Sequence, residues 1–288
     1  MSTGIRAYIE QQSPVIDRAL RSKLPISKLG GAQCLNDAVS YAVFSGGKRM
    51  RPILALLAAE ICGAPAALAL PVACAVEFLH TASLTLDDLP PMDDAGLRRG
   101  RAAAHILFGQ DMAILASLAL LNEAYVIFAE VPGLLPCAFR EIGVNGMIGG
   151  QAADLRATRS HSRMEKTTAL ARLTMAAGAM VAGARAAETD ALVSFGHALG
   201  EAYQISDDVA DVLGSEPDMG KSTGQDQRHG RSSALVELGI GGAWEYAREL
   251  IDRAGGRLRD CFGNVAQAEL LEDFARSVVS RGFEAAVK

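Results

Sequence analysis

EFLHTASLTLDDLPPMDD, residues 77–94, decides how this chain is read. Its first part is an apolar run of helical character that ends in the pair Asp87 and Asp88. Pro90 and Pro91 then forbid a continuing helix, because proline lacks the backbone donor and crowds the preceding turn. The spacing predicts a bulge there that swings Asp93 back beside Asp87. A second stretch, LGEAYQISDDVAD at residues 199–211, repeats the plan: an apolar helix runs into Asp207 and Asp208, and Asp211 follows. Asp207 and Asp211 are one helical turn apart, so their carboxylates share a face. A lone aspartate pair is an ordinary solvated helix end. Two of them, each closing an apolar helix, predict opposed carboxylates around one cavity. Like charges that close repel unless cations lie between them. Oxygen donors in that number, without His or Cys, suit Mg²⁺, which keeps waters and takes further ligands from phosphates.

Outward from these motifs, helical periodicity runs almost from end to end. Gly and Pro punctuate it at residues 46–47, 63–65, 90–91, 96–100, 132–136, 215–220 and 239–242. Half the residues are apolar but only 5% are aromatic, and Ala and Leu dominate, which favours helix over strand. No linker divides the 288 residues. The expected fold is all-α, a single domain over residues 1–288 with about ten or more helices, several apolar nearly all round and therefore buried.

The net charge of −5 argues against general nucleic-acid binding, which needs surplus Lys and Arg. The five cysteines (Cys34, Cys62, Cys74, Cys137 and Cys261) lack metal-ligand spacing and read as thiols of a reducing cytoplasm. The polar N-terminus is no secretory signal. Pro, Glu or Asn interrupts every apolar stretch, so no transmembrane segment is expected.

A carboxylate cage for Mg²⁺ implies a polyphosphate, and a second anionic partner would need direct cationic contacts. GGKRMRP supplies Lys48, Arg49 and Arg51 after a glycine turn, and RRG supplies Arg98 and Arg99 just past the first aspartates. Arg forks grip phosphate oxygens bidentately, and Lys acts as a point charge. His80 lies two turns before Asp87 on the same face, a modest extra donor. Lys166 and Lys221 are weaker signals by themselves.

With these residues assembled, the chain resembles the trans-prenyl diphosphate synthase family, in particular bacterial geranylgeranyl diphosphate synthases. The matching blocks are GGKRMRP (46–52), HTASLTLDDLPPMDDAGLRRG (80–100), HILFGQDMAIL (105–115), GGQAADL (149–155), EKTTAL (165–170), YQISDDVAD (203–211) and GKSTGQD (220–226). The resemblance implies a helical bundle around a central cavity, the isoprenoid synthase fold, acting as a homodimer. It implies that Asp87, Asp93, Asp207 and Asp211 hold Mg²⁺, three ions per site, against an allylic diphosphate, with Asp88 and Asp208 in support. Arg98, Lys166, Thr167, Gln204 and Lys221 would contact that diphosphate, and Arg231 would stand where the family has a late lysine. Lys48, Arg51, His80 and Arg99 would hold isopentenyl diphosphate. The chain departs from the family at Ala103 and Ala104, where Pro-Thr is frequent, and at Ser117 and Leu118, where many members have Gly-Asp.

The implied chemistry is ionisation of the allylic diphosphate followed by attack of the isopentenyl double bond, with the released diphosphate taking the proton. Product length is read from the helix before Asp87. Ala82 and Ser83 are small, so a tail running down that face has room beyond fifteen carbons, and a twenty-carbon geranylgeranyl product is expected. A farnesyl product is the alternative. A terpene cyclase usually carries an Asn/Ser/Glu metal triad, which DDVAD replaces here. A non-catalytic synthase subunit tends to lose one aspartate motif, and both are present.

Overall fold

The computed structural model of the chain describes residues 2–156, 160–213 and 234–284. The helices follow in the order α1 (Thr3–Lys23), α2 (Gln33–Phe44), α3 (Met50–Ile61), α4 (Ala66–Asp87), α5 (Ala104–Phe108), α6 (Gln110–Ala129), α7 (Leu134–Ile142), α8 (Met147–Leu155), α9 (Ser160–Val181), α10 (Ala186–Leu213), α11 (Ala234–Phe262) and α12 (Ala266–Glu284). This is the all-α architecture that the periodicity predicts. The break expected at residues 239–242 is only a kink in α11, where Gly239 takes φ 65°.

α3 and α4 form the centre. Every residue from Pro52 to Ala59 is buried, and α4 is buried on nearly all sides, with Phe78 and Leu79 fully enclosed. Helices without a polar face need partners all round. α4 finds them in α3, α6 and α9, and α9 in turn packs along α10. That last contact is close because Gly200 has no side chain: a Cβ there would stand 2.8 Å from the Cα of Thr168.

α4 and α6 are long and apolar enough to cross a membrane by length and composition, where the sequence reading saw only interrupted stretches. For α4 the reason is core burial. α6 is different, since it leaves Ile114, Leu115, Leu118 and Val126 exposed.

Among the described residues one element is not helical. Leu97–Arg98 (β1) and Arg101–Ala102 (β2) pair as an antiparallel hairpin. Its two-residue turn, Arg99 and Gly100, has φ 55° and 73°, the positive values that a tight hairpin matching strand twist requires. The break expected at residues 96–100 is this hairpin, and the Arg-Gly pair that supplies cations also forms its turn.

Candidate active site

α4 stops at Asp87, and the loop that Pro90 and Pro91 impose curls back onto it. The Asp93 backbone N–H donates to the Asp87 carbonyl at 2.9 Å, and that of Ala95 donates to the Asp88 carbonyl at 3.1 Å. Asp93 is thereby returned to the side of Asp87, as the spacing predicts. The Asp87 side chain is 8% exposed and meets the Lys166 ammonium at 2.8 Å. Burial raises its carboxyl above the usual range; Lys166 opposes this rise and Asp93 adds to it.

Asp88 serves another partner. Arg98 Nε donates to its Oδ1 at 2.8 Å, and the Arg98 Nη2 donates to the same atom. This pair ties the hairpin to the end of α4. Burial pushes the Asp88 carboxyl up too, with Arg98 opposing.

The second motif stands on α10. Asp208 is buried and accepts from Gln204 Nε2 at 2.9 Å; Gln204 Oε1 accepts from the Thr167 hydroxyl at 2.9 Å. Asp207 is half-buried beside it. Asp211 follows one turn on in α10, and its side chain lies outside the described residues, as do Lys221 and Arg231. Lys166 and Thr167 are consecutive on α9, with Cα atoms about 3.8 Å apart. One grips the first aspartate motif and the other reaches the second through Gln204. α9 therefore binds α4 to α10 at this end of the bundle.

The remaining cations gather where α3, α4 and the hairpin turn meet. Arg51 Nη1 lies 3.0 Å from His80 Nε2. A guanidinium can only donate, so Nε2 accepts. Burial, with Arg51, Arg99, Arg98 and Lys166 around it, holds the His80 ring well below its ordinary pKa and hence neutral. Its Nε2 therefore orients Arg51, and a neutral ring in this tautomer keeps Nδ1–H as the donor expected of His80. Arg99 donates to the Gly46 carbonyl, and the neighbouring Gly47 takes φ 122°, a conformation that L side chains rarely adopt, which explains glycine there. Lys48 is exposed at this turn. Arg49 points the other way, to Glu77 at 2.9 Å and Asp17 at 2.9 Å, so it braces the core.

Of the two expected pocket residues, Ala82 is 0% exposed and packed in the core. Ser83 alone presents an accessible side, and its hydroxyl donates to the His80 carbonyl at 2.9 Å. Of the two, Ser83 is the one with surface left for a ligand to touch.

Among the described residues no three carboxylates, thiols or imidazoles already converge on one point. The donor set still fits a hard divalent ion. It is all oxygen, the burial of Asp87 is only partly offset, and the Lys166 ammonium already occupies a cation's place there.

An all-α bundle that ties buried carboxylates of two helices together beside a cluster of arginines and lysines fits an enzyme for a phosphorylated substrate. The polyprenyl synthetase family model matches residues 32–268. A farnesyl diphosphate synthase of Geobacillus stearothermophilus is 36% identical, the match covering 89% of this chain and 92% of that one. A geranylgeranyl diphosphate synthase of Cyanophora paradoxa is 32% identical over 87% and 89%. Among solved structures, an FPP/GFPP synthase of Zymomonas mobilis superposes with TM-score 0.82 at 29% identity, over 97% of this chain and all of that one. A geranylgeranyl pyrophosphate synthetase of Pyrococcus horikoshii does so with TM-score 0.84 at 27% identity, over 96% and 98%. The chain belongs to the polyprenyl synthetase family and is a trans-prenyltransferase.

Proposed function

We propose that this chain, as one domain, makes geranylgeranyl diphosphate with Mg²⁺ by adding isopentenyl diphosphate to a shorter allylic diphosphate, and that it works as a homodimer. The observation that carries the reading is the tie of both aspartate motifs to adjacent residues of α9, Lys166 and Thr167. The allylic C–O bond breaks and its electron pair leaves with the diphosphate. The isopentenyl double bond then forms the new C–C bond, and the proton lost from the adjacent carbon passes to the released diphosphate. Asp87, Asp93 and Asp207, with Asp211 by position, would hold the metal, which when bound offsets the charge growing on the leaving group. Lys166, Thr167 and Gln204 would meet that same group, and Arg98 would keep Asp88 and the hairpin in place beside it. Lys48, Arg51 and Arg99 would hold the second diphosphate, with neutral His80 aligning Arg51. Apolar helix walls exclude water that would quench the allylic cation.

The half-accessible Ser83 favours the twenty-carbon product. The relative from Geobacillus supports a farnesyl product as the second reading. Incubation with Mg²⁺, isopentenyl diphosphate and each allylic starter, followed by chromatography, should give a twenty-carbon diphosphate, and EDTA should abolish it. A hydrocarbon formed from the allylic diphosphate alone, or no product at all, would overturn the reading; a fifteen-carbon end product would select its alternative.

The exposed row Ile114, Leu115, Leu118 and Val126 on α6 supports a second copy of the chain as partner. Leu118, 54% exposed, stands where many family members have Asp. In a two-fold interface each substitution counts twice. Leu115→Glu, at a position 45% exposed in the single chain and without that acidic precedent, should forfeit about 1.5–3 kcal/mol per copy and weaken the dimer roughly 10²- to 10⁴-fold. Sedimentation velocity reads this directly. A monomeric parent, or a variant as dimeric as the parent, would refute it.

A further inference from the structure

We infer that Arg172 is a positioning residue for catalysis: its guanidinium fixes the strip of α9 that presents Lys166 and Thr167. The inference rests on the site reading proposed above and adds a residue that touches neither substrate nor metal. Arg172 sits on α9 six residues beyond Lys166. Nη2 donates to Glu165 Oε2 at 2.8 Å, and Nη1 donates to the Thr168 hydroxyl oxygen at 3.2 Å. These two acceptors bracket the Lys166–Thr167 pair on both sides. The same head reaches off the helix as well. Nε donates to Glu141 Oε2 on α7 at 2.8 Å, and Nη1 also lies 3.2 Å from His197 Nδ1 on α10.

Only a planar fork with several fixed donors can serve acceptors on three helices at once. The side chain is 18% exposed and that of Glu141 is 8% exposed, so these contacts are poorly screened. Burial works against the Arg172 charge, yet Glu165 and Glu141 outweigh it and raise its pKa.

The consequence for catalysis runs through geometry. Lys166 has a long, flexible side chain, so the place of its ammonium depends on a fixed backbone. The Glu141 contact also fixes the end of α7, just before the turn into α8. α8 carries Gln151, whose amide approaches Met92 of the first aspartate loop at 4.0 Å. Arg172 thereby joins the supports of both aspartate motifs in one hub. A misplacement of about 1 Å at such a site costs on the order of 10²-fold in rate.

A double-mutant cycle tests this. Arg172→Met in the parent should lower kcat roughly 10- to 100-fold with a smaller change in KM. In a Lys166→Ala background the same change should cost at least about 3-fold less than in the parent, because residues acting through one another are not additive and only the Thr167 arm is left to misplace. Arg172→Lys should recover the melting temperature but leave kcat at least about 5-fold down, since a point charge does not reproduce the fork. If Arg172→Met folds poorly, Glu165→Gln removes one arm at a half-exposed position and should lower kcat about 3-fold or more at an unchanged melting temperature. Equal losses in both backgrounds, or parental rates for both Arg172→Lys and Glu165→Gln, would overturn the inference. Should the parent condense nothing, the proposed function fails. The cycle, read then by calorimetric binding of inorganic diphosphate with Mg²⁺, still tests the coupling.

Discussion

Asp87→Asn should lower kcat roughly 10²- to 10³-fold, the cost of removing one charged element of a preorganised electrostatic site, while the protein melts no earlier than the parent. The two halves of this result have one cause. Asp87 is buried at the end of α4, where burial raises its carboxyl pKa despite the Lys166 ammonium 2.8 Å away. A folded-state pKa above the unfolded value means that the proton favours the folded state at low pH. That stability is lost as pH climbs from the ordinary carboxylate value through the raised one. At neutral pH the ionised group is therefore a net cost to folding, increased by Asp93 returning beside it. Asparagine keeps the shape, removes the cost and removes the ligand charge. Lys166, with a side chain 24% exposed, can recover hydration when its partner is neutral. Steady-state kinetics across a Mg²⁺ titration, paired with a thermal melt, checks both halves. Activity within a few-fold of the parent would remove Asp87 from the metal site. A melting temperature far below the parent's would mean that the Lys166 contact is structural.

The parts of the molecule legible in the sequence are those set by local rules. Pro90 and Pro91 force the loop that brings Asp93 to Asp87, and the apolar run before Asp207 sets the helix that carries the second motif. The parts that were not legible depend on which neighbour packing supplies. Arg49 and Arg51 are two residues apart in a basic run, yet Arg49 turns to Asp17 and Glu77 while Arg51 meets His80. The left-handed backbone of Arg49, φ 50°, separates them, and nothing in a charge pattern encodes it. Ala82 and Ser83 are both small, but only α4's rotation against α6 and α9 decides that one is core and the other accessible. Arg172 and Glu141 are 31 residues apart, too far for any spacing rule to pair. α6 is a partial exception: an apolar helix with only two charged residues, Asp111 and Glu123, needs either a core or a partner, and this one has only half a core.

That separation of Ala82 from Ser83 makes the length of the product the sharpest remaining test. Ser83 lies one turn, about 6 Å, before Asp87 on the face that a growing tail must pass. Ser83→Phe places a phenyl ring on the accessible side of α4. Each further addition would have to push the tail against it, an overpacking cost of about 1–3 kcal/mol, or roughly 5- to 150-fold in the rate of that step. The end product should shift from twenty carbons to fifteen or ten, with the first condensation and the melting temperature nearly unchanged. Ala82→Phe should behave differently. Ala82 is fully enclosed in the core, so the ring meets packed side chains, and the same 1–3 kcal/mol is lost from folding. Its melting temperature should fall while whatever folds still makes the parental product. The pair of variants thus reads the tail's direction by two independent measurements, chromatography and calorimetry. A twenty-carbon main product from Ser83→Phe, or a shortened product from Ala82→Phe at full stability, would place the tail on the other side of α4.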